Sequence, residues 1–226
     1  MKANLSHELN NTALVCCETL HDEISAVLQK LNLSCPVIWI EQGLHNFPVN
    51  LHNRLQETLR GLSNIEQVIL GFGYCGNAVC GLVTGDFRMI IPRADDCITL
   101  LLGAETRARN EGTYFLSSGW LRGEQHIWRD YQYSIKKYGK KQGKQIIKMM
   151  LENYKYLGAL DTRFDKDSVF LEETKTIAEE LELELRILPA SLDYFFELFS
   201  GPWPEERFVI IPPRTEISIH LLYPSF

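Results

Sequence analysis

The amino-acid sequence predicts an α/β fold, a mostly parallel open sheet flanked by helices, on three observations. Over the first hundred or so residues, short apolar runs alternate with segments whose apolar residues recur at helical spacing. One of those runs leads straight into a glycine-rich turn, the usual join of strand to helix in such folds. At 226 residues and 45% hydrophobic content, the chain can bury a substantial core.

In order, Thr12 to Cys17 reads as a buried strand, and Glu18 to Lys30 as a helix with Leu20, Ile24, Val27, Leu28 and Leu31 at helical spacing. Pro36 to Ile40 is the second strand. A polar loop, Glu41 to Pro48, leads to the helix Val49 to Leu62, with Leu51, Leu55, Leu59 and Leu62 on one face. Gln67 to Leu70 is the third strand, followed by the glycine loop and a short helix over Asn77 to Val83. Phe87 to Ile91 is the fourth, ended by Pro92, which cannot donate to a ladder. Asp95 or Asp96 can cap the helix Cys97 to Leu102, and Gly103 stops it. Right-handed crossovers then make the sheet mostly parallel and Rossmann-like.

The second half is more helical. Thr113 to Ser117 is a strand, Glu124 to Tyr138 and Gln142 to Leu157 are helices broken by Gly139 and Gly143, and Asp167 to Leu183 is a charged amphipathic helix. Leu185 to Leu188 and Phe208 to Ile211 are strands around the helix Ser191 to Phe199, capped by Ser191, and Ile217 to Leu222 is an edge strand. With no internal repeat, low-complexity tract or linker, a single α/β domain over residues 1–226 is expected.

A net charge of −6 argues against nucleic acid as the partner, since its binders show a dominant basic field. No secretory signal opens the chain and no apolar run reaches spanning length, so a cytoplasmic protein off the membrane is expected. Thiols stay reduced in that compartment, and the six cysteines are better read as core residues, metal ligands or nucleophiles than as disulfides.

Gly71-Phe72-Gly73-Tyr74-Cys75-Gly76 fits G-x-G-x-x-G, in which backbone N–H groups cradle a pyrophosphate. The remainder of a dinucleotide site is missing. The next strand ends Ile91-Pro92-Arg93 rather than in a ribose-binding acid, and the loop follows the third strand instead of the first. Either the glycines allow close packing of the turn, or Gly71, Gly73 and Gly76 bring backbone near a ligand also held by Cys75.

In an open parallel sheet, ligands bind beyond the carboxyl ends of the strands. Those ends carry Cys16, Cys17 and Glu18; Glu41 and His45; Cys75; and Arg93, Asp95, Asp96 and Cys97. Cys35 precedes its strand and Cys80 lies well round a helix from Cys75, which makes both packing residues. Cys16 and Cys17 point to opposite faces, so at most one enters a site, and Cys16 is favoured. Three thiolates with an imidazole suit zinc or an iron–sulfur cluster, although the spacing is not that of a zinc ribbon or ferredoxin. The alternatives are a buried thiol behaving as a small hydrophobe and an unmetallated nucleophile, Cys75 or Cys97, activated at a helix N-terminus.

His45 is read as a ligand, an acid–base group or a plain loop residue; Arg93 as a fork for an anion or a partner of Asp95 or Asp96. His21, His52 and His126 fall in helices as surface or packing residues. Arg129 to Lys155 holds eight Lys or Arg and two acids among tyrosines, and reads as a solvated helix face before a nucleic-acid site or a dock for an acidic protein.

Leu44-His45-Asn46-Phe47-Pro48, Gly73-Tyr74-Cys75-Gly76-Asn77, Pro92-Arg93-Ala94-Asp95-Asp96-Cys97-Ile98 with Leu101-Leu102-Gly103, and Gly119-Trp120 resemble the family called domain of unknown function 1638, of methanogenic archaea and anaerobic bacteria. The resemblance spans nearly the whole chain and implies cysteines kept at Cys16 or Cys17, at Cys75 and at Cys97. Because members accompany corrinoid-dependent methyl-transfer systems, it also implies one-carbon chemistry and a corrinoid or methyltransferase protein partner.

The expectation is therefore a metal-dependent enzyme or accessory protein acting on a small anionic or thiol-containing molecule. Cys16, Cys75 and Cys97 would hold zinc or an iron–sulfur cluster, His45 would assist or ligate, and Arg93 with the glycine-loop amides would bind an anionic group. The alternative is a nucleotide- or S-adenosylmethionine-binding module built on the Gly71–Gly76 loop.

Overall fold

The computed structural model describes residues 11–162 and 169–223. In chain order its elements are β1 (Thr12–Cys17), α1 (His21–Leu31), β2 (Val37–Ile40), α2 (Pro48–Gly61), β3 (Gln67–Gly71), β4 (Arg88–Pro92), α3 (Cys97–Leu102), α4 (Ala104–Arg109) and β5 (Thr113–Leu116). They continue with α5 (Ser118–Arg122), α6 (Ile127–Met150), β6 (Tyr156–Asp161), α7 (Val169–Leu181), β7 (Glu184–Pro189), α8 (Asp193–Ser200), β8 (Phe208–Ile211) and α9 (Ile219–Leu222). The chain divides into two compact units, residues 1–100 with 192–226, and residues 101–191. The fold is the mixed, mostly parallel α/β arrangement expected from the sequence.

The first unit is built on a five-stranded sheet of order β2-β1-β3-β4-β8. The pairs β1/β2, β1/β3 and β3/β4 are parallel, whereas β8 closes the far edge antiparallel to β4, Ile90 opposite Ile210. Every residue of β1 and β3 is buried, as inner strands covered on both faces require. Ile24 of α1, Leu51 and Leu55 of α2, and Phe195 and Phe199 of α8 are among the largest buried side chains of the helices in this unit. Each fully buried side chain of that size contributes about 1.5–3 kcal/mol. Because the chain runs from β1 out to β2 and then back past β1 to β3, the order reverses between β1 and β3. The carboxyl edge there is a topological switch point, where open α/β sheets form a crevice.

The second unit holds the parallel sheet β5-β6-β7. Its core gathers Leu116, Ile127, Tyr131, Ile147, Leu157, Ile177 and Leu181. The central strand β6 falls partly inside the predicted helix Gln142 to Leu157. A short continuous apolar run does not distinguish strand from buried helix by periodicity.

Three other local expectations are corrected. Where a helix is expected over Asn77 to Val83, Cys75 to Gly81 forms turns and Val83 an isolated bridge to Glu216. The polar groups of this segment are satisfied from afar: His52 Nδ1 lies 3.0 Å from Ala78 O, the Gln56 amide exchanges two hydrogen bonds with the Val83 backbone, and Gly81 N–H donates to Ile217 O at 2.7 Å. Ile217 to Leu222 is no edge strand; Ile217 pairs back onto Leu82 and α9 follows as a single turn. Ser191 does not cap α8, which begins after Leu192 with no side-chain cap. The predicted start of α7 at Asp167 and Ser168 lies outside the described residues, as does the N-terminal stretch to Asn10. Among the described residues, no helix is long and apolar enough to cross a membrane.

Candidate functional site

At the switch point the glycine loop and the loop after β4 are clamped together by main chain. Tyr74 N–H donates to Ala94 O and Cys75 N–H to Asp95 O, both at 2.7 Å. Gly73 makes this approach possible: a Cβ there would lie 2.5 Å from Asp96 N and Cα. On the other side of the clamp, Asp96 Oδ1 accepts from Thr99 N–H at 2.7 Å and from the Thr99 hydroxyl at 2.8 Å, which caps α3 and sets Cys97 as its first residue. Of the two predicted caps, Asp96 is the one used.

Cys75 sits in the left-handed region at φ 45°, followed by Gly76 at 68° and Asn77 at 64°. For a non-glycine residue this costs roughly 1–2 kcal/mol, strain that surrounding structure must hold in place and that tends to collect at functional positions. The half-buried His45 belongs to a 3-10 turn, Leu44–Asn46, after β2. Its loop meets the glycine loop where a Cβ on Gly76 would lie 3.1 Å from Pro48 Cγ.

Cys17, the last residue of β1, is the β1 thiol within electrostatic reach of Cys75 and Cys97. A negative charge on Cys17 raises the pKa of both, and charges on Cys75 and Asp96 raise that of Cys97 further. Burial is the larger cause in each case: it pushes the Cys75 thiol up to about 12 and lifts Cys17 and Cys97 above their ordinary values. Burial also pushes the His45 imidazole down, with Asp96 opposing it, so His45 is neutral at pH 7. The buried Thr19 hydroxyl stands beside the Cys17 sulfur, where it stabilises the ionised form.

Cys16, favoured from sequence as the ligand, lies on the opposite face of β1. Its sulfur occupies the space beside Gly71, where a Cβ would come within 2.6 Å of Sγ, and the cysteines whose charges reach it are its neighbour Cys17 and Cys35. Strand alternation separates the adjacent cysteines, and Cys16 falls on the face where Ile24 of α1 contacts the same Gly71 position. The structure thus gathers Cys17, Cys75, Cys97, Asp96 and His45 and leaves Cys16 out. Among the described residues no three His, Cys, Asp or Glu side chains are drawn together tightly enough to hold a metal ion as they stand.

The other predicted participants have local duties. Gly71 makes room for Cys16, Gly73 for the Asp96 backbone and Gly76 for a left-handed turn. Two amides of the presumed phosphate cradle are already spent on Ala94 and Asp95, and no helix N-terminus follows the loop. Arg93 donates through Nε to Glu205 O at 2.7 Å and through Nη1 to Leu222 O at 2.6 Å, so its guanidinium ties down the C-terminal segment. Tyr74 reinforces that tie, its hydroxyl donating to Leu222 O at 3.1 Å. Nor is either candidate nucleophile activated: Cys75 precedes no helix, and burial raises Cys97 instead of lowering it. Thr19 carries no site signal in the sequence, whereas Asp96 carries the capping signal, an acid three residues before Thr99 and just ahead of an apolar run.

No curated protein and no solved structure matches this chain. A family described as a protein of unknown function, DUF1638, matches residues 39–199, a span that contains His45, the glycine loop, Asp96 and Cys97 and begins after Cys17. With that match covering well over half of its length, the chain belongs to the DUF1638 family.

Proposed function

We propose that Cys17, Cys75 and Cys97 bind a soft metal ion, zinc or the iron of an iron–sulfur cluster, with His45 at the rim, and that the chain acts there on a small molecule as an enzyme or accessory protein. What supports this reading is that Cys17 at the end of β1, Cys75 after β3 and Cys97 after β4 come within electrostatic reach of one another at the switch point of the sheet. Free thiols held neutral by burial are poor nucleophiles at pH 7, whereas a metal ion takes the place of the protons and deprotonates its thiol ligands outright. The buried Thr19 hydroxyl beside Cys17 favours the thiolate form of that sulfur.

Three sulfurs and a half-buried imidazole fit the donor preferences of zinc and iron. Zinc with three protein ligands would supply an open position at which a substrate thiol is activated, chemistry in keeping with the one-carbon association implied by the family resemblance. Asp96 keeps Cys97 in place through the α3 cap, and Gly73 keeps the Cys75 and Cys97 loops in contact. The nucleotide or S-adenosylmethionine alternative draws less support, because amides it needs are engaged.

Metal content of protein purified without oxygen, from medium supplied with zinc and iron, tests the proposal. About one zinc per chain, or an iron and sulfide stoichiometry of a cluster, is expected, lost in Cys17→Ala and Cys75→Ala and kept in Cys16→Ala. Less than about a tenth of an equivalent in the unaltered chain, or equal loss in Cys16→Ala and Cys17→Ala, defeats it. Thermal shifts with nucleotides and S-adenosylmethionine separate the alternative.

A further inference from the structure

The second unit carries a surface that owes nothing to the thiol site. From Tyr131 to Leu151 the chain has six lysines and no acid, leaving 17 of its 23 basic residues against all 29 acids elsewhere. This stretch is not one straight helix. At Gly139 the backbone takes φ 78°, ψ 163°, and a Cβ on Gly143 would lie 2.8 Å from Ser134 C and Ile135 N. Residues eight or nine apart touch only if the two arms of α6 fold against each other, because along one helix they lie about 12 Å apart. The result is an exposed elbow, residues 136–141.

Lys144 and Lys148 pair with Glu180 at 3.1 Å and Glu182 at 3.4 Å, and Lys140 also acts on Glu180. Lys136, Lys137 and Lys141 have no acidic partner within ion-pair distance among the described residues. Lys137 Nζ instead lies 5.2 Å from the Tyr133 ring centroid and 5.1 Å from that of Tyr138. Beside the elbow, Tyr138, Gln142, Gln145, Ile146, Lys148 and Met149 line an open hollow of about 540 Å³. Met149 is 67% exposed, and Met150 and Tyr133 are also in solvent. Exposed methionine and tyrosine side chains thus stand beside a run of lysines at the same hollow.

We propose that this elbow and hollow dock an acidic amphipathic helix of a partner protein. Its apolar side chains would enter the hollow over Ile146 and Met149, and its carboxylates would meet Lys136, Lys137 and Lys141. Methionine adapts to helical ligands of varied sequence, and helix-in-groove binding combines such an apolar floor with a charged rim. Single-stranded nucleic acid fits less well, because the rest of the chain is strongly acidic.

The test uses the full chain and a fluorescein-labelled peptide of about 18 residues, leucine at i, i+3, i+4 and i+7 with glutamate on the flanks, read by anisotropy. Saturable binding is expected, weakened at least about fivefold from low to physiological salt and about tenfold by Lys136→Glu with Lys141→Glu. Met149→Ala should weaken it severalfold with the circular dichroism of the protein unchanged. Four outcomes would overturn the proposal: no saturable binding; equal binding of the peptide with serine for leucine; tighter binding of oligo-dT or of anionic phosphatidylserine vesicles; or self-association of the chain through this face, abolished by the lysine reversals.

Discussion

Substituting Gly73 with alanine tests the clamp that holds the Cys75 and Cys97 loops together. The Cβ would sit 2.5 Å from Asp96 N and Cα and 2.7 Å from Asp96 C. Ordinary carbon contacts need about 3.5 Å, so the two loops must part by about 1 Å. Because Gly73 is not in the left-handed region, the strain comes from this approach alone. An opening of that size takes the 2.7 Å bonds Tyr74 N–H to Ala94 O and Cys75 N–H to Asp95 O out of hydrogen-bonding range. Two such bonds are worth about 1 kcal/mol each, and overpacking costs about 1–3 kcal/mol, so after partial relaxation a loss of about 2–4 kcal/mol is expected. Urea unfolding at constant m-value measures it. Gly61→Ala is the control: nothing lies within 4 Å of its Cβ, and alanine at a helical position should stabilise by up to about 1 kcal/mol. A loss below about 0.5 kcal/mol for Gly73→Ala would refute the clamp. The same variant should lose bound metal, since it separates two of the proposed ligands.

Other outcomes follow from the same contacts. Gly71→Ala collides with a side chain, Cys16 Sγ at 2.6 Å, so Cys16→Ala should rescue it by about 1–2 kcal/mol in a double-mutant cycle; additive effects would place the clash elsewhere. Without metal, the Cys75 thiol keeps its proton in the folded state up to about pH 12 and releases it on unfolding from about 9.0. Stability is thus full below pH 9 and falls as pH rises toward 12, at about 1.4 kcal/mol per pH unit for this group. Cys75→Ala should remove about one proton from that slope between pH 9 and 11, and an unchanged slope would mean that the thiol is not buried as described. Gly143→Ala, whose Cβ meets backbone at 2.8 Å, should lower amide-exchange protection of residues 101–191 and leave β1 and β3 as they are.

Sequence alone determined what depends on near neighbours along the chain. Apart from the helix expected over Asn77 to Val83, the strands and helices from Thr12 to Leu102 follow from apolar periodicity that each segment carries within itself, the break at Gly139 follows from the glycine, and the alternation is enough for a mostly parallel sheet. It also brought Cys75, Cys97 and His45 to one edge, because strand ends are countable. What needed tertiary structure is whatever a distant partner decides. Asn77 to Leu82 stays out of helix because α2 and the chain near Ile217 satisfy its polar groups. The glycine loop has the letters of a phosphate cradle, yet its amides at 74 and 75 are bound to carbonyls some twenty residues on. Alternation shows that Cys16 and Cys17 oppose each other, but only the packing of α1 against Gly71 puts Cys16 under that helix and leaves Cys17, also buried, on the side of the other thiols. A strand repeats every two residues whichever side its neighbours cover, so the choice of face is a long-range property.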